Sequence, residues 1–202
     1  MTGCDSGPTD SAPAPGPSAT GPAPRGGPPT GSASRSLWTL IGEKGATVKH
    51  LPDDDPDVTA VRRTVALHSG VADNRDAATI EASTREELAY LSEEFRKLLE
   101  RERYAPSLTG LFRQNALATR QTKIAWYRSV VHEDRKNAKV EMDSVIEFTK
   151  ARPSYLEKGG FTLQTPYTQH RTISLIKRNG HWQISAIEKT PLTKPEARPD
   201  GS

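Results

Sequence analysis

The chain has 202 residues, of which 34% are apolar and 6% aromatic, with 28 basic and 25 acidic side chains and a net charge of +3. So small an excess excludes a strong phosphate-binding field. Arg120, Lys123, Arg128, Arg135, Lys136 and Lys139 are interleaved with Glu133, Asp134, Glu141, Asp143 and Glu147, so no nucleic-acid partner is expected. No apolar run approaches the roughly 18 to 20 residues of a membrane-spanning helix, and the one cysteine, Cys4, rules out an internal disulfide framework or a Cys-based zinc cluster.

Half of the 16 prolines fall within the first 30 positions. With the interspersed glycines they leave residues 1–35 almost free of core-forming side chains, so this segment is expected to be disordered, as is the polar end at 191–202. Met1-Thr2-Gly3-Cys4 resembles the end of a bacterial lipobox, whose cysteine carries the lipid. Met1 stands where Leu is usual, and the charged and apolar regions of a signal peptide are absent. The resemblance implies that a signal peptide lies upstream and that Cys4 is acylated. Residues 5–35 are then a tether on the extracytoplasmic face of the cell membrane. Without that leader, Cys4 is a free thiol of a cytoplasmic protein. The tether would span roughly 95 Å if polyproline-like, at ~3.1 Å per residue, and about 30 Å as a flexible coil.

Residues 36–57 read as an arm or short hairpin, with Leu37, Trp38, Leu40 and Ile41 before two glycines, and Val48 and Leu51 before the acidic stretch Pro52–Pro56. The aspartates there lack the ligand spacing of an EF-hand loop, and a solvated turn is expected. Val58, Val61, Val65 and His68 then mark one helical face, with Gly70 as the stop. A second helix is expected from a cap at Ser83 or Thr84, with Leu88, Leu91, Phe95, Leu98 and Leu99 as its apolar stripe. Leu108, Leu111, Phe112 and Leu117 suggest a further short helix or turn.

Beyond Thr122 the period becomes two. Ala138, Val140, Met142, Ser144, Ile146 and Phe148 alternate with more polar residues and predict a long half-buried strand, partnered by Ile124–Val131. Tyr167–Lys177 and Trp182–Lys189 flank Asn179-Gly180, the dipeptide suited to a two-residue hairpin turn. Helices first and strands afterwards predict an α+β domain at residues 58–190, its helices packed on a curved antiparallel sheet.

The helix-then-strand order and the closing segment Asn179-Gly180-His181-Trp182-Gln183-Ile184 resemble the end of an NTF2-like, cone-shaped domain of the kind found in bacterial lipoproteins. The resemblance implies helices closing one end of a cone whose cavity sometimes binds or transforms a ligand. It also admits a homodimer through the outer sheet face. Such a fold assigns no activity by itself.

Residues expected to line a cavity are Tyr127, Met142, Phe148, His170 and Trp182. No catalytic residue stands out. Asp143 lies on the solvent side of its strand, His170 and Tyr167 point to opposite faces, and the five histidines form no metal-binding pair, so neither a metal nor a cofactor is expected. The favoured reading is a tethered, non-enzymatic binding or accessory domain for a protein, an envelope factor or a small apolar ligand. Its competitor is a small lyase or isomerase with His170 or Tyr127 carrying a proton inside the cone.

Overall fold

The computed structural model describes residues 36–194. Cys4, the tether expected at 1–35 and the end from residue 195 lie outside them. The described chain runs β1 (Trp38–Ile41), β2 (Thr47–Leu51), α1 (Pro56–Asp73), β3 (Arg75–Asp76), α2 (Ile80–Leu88), α3 (Glu93–Arg101) and α4 (Tyr104–Gln114). There follow β4 (Ala118–Trp126), β5 (Ser129–His132), β6 (Asn137–Lys150), α5 (Pro153–Gly159), β7 (Pro166–Arg178) and β8 (His181–Lys189).

Strand β6 is the spine, and its even-numbered residues from Ala138 to Phe148 are buried while the intervening ones are more exposed. It pairs antiparallel with β4, β5 and β7, and β8 pairs with β7. Asn179 and Gly180 close the last hairpin with φ of 50° and 80°, the left-handed values that Asn and Gly best tolerate. Every pairing among the strands of 58–190 is antiparallel, as expected, and the sheet becomes mixed only where the β1–β2 hairpin of the arm joins through β1, which runs parallel to β5. Four helices and three strands separate β1 from β5 along the chain, long enough for a parallel crossover. The arm is held because Trp38, Leu40 and Leu51 enter the core. Register shifts within β4 and between β7 and β8 interrupt the ladder with bulges, which bend the sheet around the helices on its inner face.

Helix α1 buries the expected stripe Val58, Val61, Val65 and His68. It runs one turn past Gly70, because the Asn74 backbone and side-chain amides both donate to the Gly70 carbonyl and close the end there. Asp55 caps its start. The acidic stretch before it is no simple solvated turn. Arg135 donates to Asp55 and Asp57, and Asp57 also accepts from Lys177 Nζ at 2.7 Å and Trp182 Nε1 at 3.2 Å.

The single helix expected from Ser83 or Thr84 is two helices. Ser83 and Thr84 donate to the Ile80 carbonyl inside α2 rather than capping it, and the chain breaks at Ala89–Ser92. There the Ser92 amide donates to the Ile184 carbonyl and the Ile184 amide to the Tyr90 carbonyl, so the break covers the free edge of β8. Ser92 then caps α3 by accepting from the Phe95 amide at 3.2 Å. The partner strand expected at Ile124–Val131 is likewise two strands, β4 and β5, parted at Tyr127 and Arg128.

Apolar packing is unequal along the sheet. One cluster gathers Val58, Val61, Met142, Leu175, Trp182 and Ile184 with the β1–β2 arm. The other holds only Ile80, Phe112 and Leu117 as buried members, and an open cleft lies beside it.

Candidate functional site

The extra turn of α1 places Asp73 over the inner face of the sheet, one turn above Ser69. On β7 the odd-numbered residues face inward, so Arg171 lies on the same side as Tyr167 and Ile173. The two charges meet: Arg171 Nη2 donates to Asp73 Oδ1 at 2.6 Å, with side-chain exposures of 2% and 4%. A buried ion pair is tolerable only when its remaining polar atoms are satisfied. Here Asp73 Oδ2 accepts from Ser144 Oγ at 2.6 Å, Gln121 Nε2 at 2.8 Å and Ser69 Oγ at 3.1 Å, while Gln169 Oε1 accepts from Arg171 Nε and Nη2. Burial pushes the Asp73 carboxyl up, but the Arg171 charge and these donors outweigh it and hold it below the usual carboxylate range.

A second buried carboxylate sits beside the first network. Glu87 of α2 accepts from Arg75 Nη2 and from Tyr104 Oη, the latter at 2.9 Å. His68 Nε2 lies 3.4 Å from Glu87 Oε1 but is not aligned as a hydrogen bond, and its Nδ1 has no partner. Burial raises the Glu87 carboxyl, yet the nearby His68 ring and the Arg75 guanidinium bring it down to about 2. Burial and the Glu87 charge push the Tyr104 phenol up to about 12, and burial lowers the His68 imidazole below its ordinary range.

These networks form the polar floor of an open cleft of about 250 Å³ between α4 and the sheet. Its wall is apolar, made by Leu108, Phe112, Leu117, Ile146 and Phe148, and Arg75, Tyr104, Asp73 and Arg171 line its base. Lys189 of β8 stands exposed at the rim.

Of the residues expected in a cavity, Phe148 lines this cleft, whereas Met142 and Trp182 are packed in the apolar cluster at the other half of the sheet. Tyr127 and His170 lie on the outer face, correcting the placement of a proton carrier inside the cone. There they meet across Asp143: Tyr127 Oη donates to Asp143 Oδ2 at 2.5 Å, and His170 Nδ1 lies 2.8 Å from Asp143 Oδ1. The His170 side chain is 42% exposed, so this is a surface cluster. The sequence reading missed Asp73, Arg75, Glu87 and Arg171. A signal was present for Arg171, a charged residue at an odd position among the inward-facing Tyr167, Ile173 and Leu175.

No protein-family model and no curated protein matches the chain. Among solved structures it is similar to an IcmL-like type IV secretion system protein from Legionella pneumophila, at 12% identity over 71% of this chain and 97% of that chain, with a TM-score of 0.49. It is also similar to the VirB8 protein of Agrobacterium tumefaciens, at 9% identity over 73% and 100% of the two chains and a TM-score of 0.45. The periplasmic domain of DotI is similar at 11% identity over 71% and 99%, with a TM-score of 0.44. These are likenesses between chains of unlike sequence.

Proposed function

We propose that the chain is a tethered binding or accessory domain of an exported lipoprotein, anchored through Cys4 and residues 5–35, that holds a small ligand or an inserted side chain of a partner in the open half of its cone. What carries the reading is the state of the acids around the cleft. A proton-transfer catalyst needs groups that titrate near its working pH. Here their surroundings drive them away from neutral pH: the cations and donors around Glu87 take it to about 2 and hold Asp73 low, while burial and the Glu87 charge take Tyr104 to about 12. Groups so locked, two ionised carboxylates and a neutral phenol, are rigid polar scaffolding beneath an apolar wall. A cleft with a few fixed polar groups among apolar ones is the ordinary form of a ligand site.

Two experiments test the proposal. A library of small amphipathic compounds is screened against the full chain by NMR, with recovery of each bound compound for mass spectrometry. Saturable shifts at Phe148 and Leu117, abolished by the cleft-filling Leu117→Trp and with every compound recovered unchanged, are expected. A compound recovered chemically altered favours the lyase or isomerase reading. In the source bacterium, label from a palmitate analogue is expected in the natural protein and absent from Cys4→Ser; no label in either removes the anchor.

A further inference from the structure

Strand β8 changes face along its length. Leu175 pairs with Ile184 and Ser174 with Ala186, so Ser185 is left over as a bulge. Before it, the even-numbered Trp182 and Ile184 point inward and are buried; after it, the odd-numbered positions do. Lys189 is thereby set directly opposite Arg171 on the inner face, where both line the cleft. Opposed like charges on neighbouring strands are unfavourable unless something offsets them.

The offset is supplied to Arg171 and withheld from Lys189. Asp73 takes Arg171, and Glu87 takes Arg75. Among the described residues no carboxylate oxygen lies within 4.0 Å of Lys189 Nζ, and no hydrogen bond engages it. Crowding and the neighbouring Arg171 pull its ammonium below the usual lysine range, an effect that solvent weakens at so exposed a residue. The cleft thus holds three cations, Arg75, Arg171 and Lys189, over two carboxylates, leaving one positive charge at the rim above an apolar wall.

Building on the binding reading, we propose that the ligand is a small amphipathic carboxylate, its anionic head at Lys189 and its apolar body against Phe148, Ile146 and Leu117. The volume of about 250 Å³ lies below the roughly 300 Å³ at which sites for larger organic ligands begin, so the body is small. The floor favours the same charge sign. An additional cation would meet Arg171 and Lys189 together, whereas a carboxylate completes the partner set that Lys189 lacks.

The probe is 2-naphthoate, compared with its neutral isostere 2-naphthalenemethanol, titrated into the full chain at low salt and followed by NMR and calorimetry. Naphthoate is expected to bind at the cleft at least ten times more tightly than the alcohol and to weaken with added salt. Lys189→Met should erase that preference while leaving the affinity for the alcohol unchanged, and Lys189→Arg should keep it. Since Lys189 is exposed, both variants are expected to melt with the natural protein, which the same samples check. Equal affinity for the two probes, or a preference that survives Lys189→Met, overturns the assignment of the anionic head while the cleft remains a binding site. Absence of any shift at cleft residues with either probe overturns the binding reading and this inference together.

Discussion

His170 and Arg171 are consecutive residues on β7, and each meets an aspartate on a different side of the sheet. Arg171 turns inward to Asp73 with side-chain exposures of 2% and 4%; His170 turns outward to Asp143 with exposures of 42% and 18%. The distances are alike, 2.6 and 2.8 Å, so geometry does not separate the pairs. Their surroundings do. Outside, water solvates both partners whether or not they touch, and little free energy depends on the contact. Inside, each charge has given up its hydration and depends on the other and on Ser69, Gln121, Ser144 and Gln169. The inner pair therefore fixes the angle between α1 and the sheet and gives the cleft a rigid floor, while the outer pair decorates a surface.

The widest separation between the two should come from cutting the inner pair. Arg171→Met leaves Asp73 buried without its cation, which costs on the order of 3–5 kcal/mol. Urea unfolding at two salt concentrations reads it, and salt should change the loss little because both side chains are buried. Adding Asp73→Asn removes the orphaned charge and is expected to recover much of the loss, a coupling that only neighbours show. A loss under about 1 kcal/mol for Arg171→Met would place the inner pair with exposed ones and end the comparison.

Acid probes the buried carboxylates next. Glu87 titrates at about 2 in the folded chain against an ordinary value of 4.5. A depressed carboxylate contributes stability that is complete above the unfolded value and is lost as pH falls from about 4.5 towards 2. At about 1.4 kcal/mol per pH unit, the contribution amounts to about 3 kcal/mol. His68 adds loss in the same direction, beginning near pH 6.5, because its folded ring is harder to protonate than the unfolded one. Stability measured by urea at steps from pH 7 to pH 2 should fall throughout. In Glu87→Gln the fall between 4.5 and 2 should flatten by about that amount.

Asp143 of the outer pair could be placed from the sequence, whereas its partner His170 and the whole inner pair could not, for identifiable reasons. Period two along β6 sets Asp143 apart from Met142 and Ile146, and that alternation is what the strand shows. Asp73 was hidden because Gly70 looked like the end of α1, whereas Asn74 holds the last turn closed. The break between α2 and α3 leaves no mark in the apolar stripe from Leu88 to Leu99. Its cause is a pair of hydrogen bonds to Ile184, more than 90 positions away. Lys189 escaped because parity fails across a bulge at Ser185 that depends on pairing with β7. Asp57 looked like one member of an acidic, solvated run until Arg135, Lys177 and Trp182 came to it from distant turns and strands. Alternation is local and survives in sequence; partners that neutralise a buried charge are distant and do not.

The smallest effect is expected on the outer face, where it separates a surface contact from a working part. Asp143→Asn removes the acceptor that His170 and Tyr127 share, and its cost should stay under about 1 kcal/mol and shrink with salt, as exposed pairs do. The Asp143 carboxylate raises the Tyr127 phenol above its ordinary range. In Asp143→Asn one tyrosine should therefore titrate at lower pH by ultraviolet absorbance, which shows that the contact is broken even where stability scarcely moves. Naphthoate affinity should be unchanged in the same variant, because Asp143 lies across the sheet from Phe148 and Lys189. If it instead falls several-fold, the two faces communicate through β6 and β7, and the sheet is a lever between them rather than a wall.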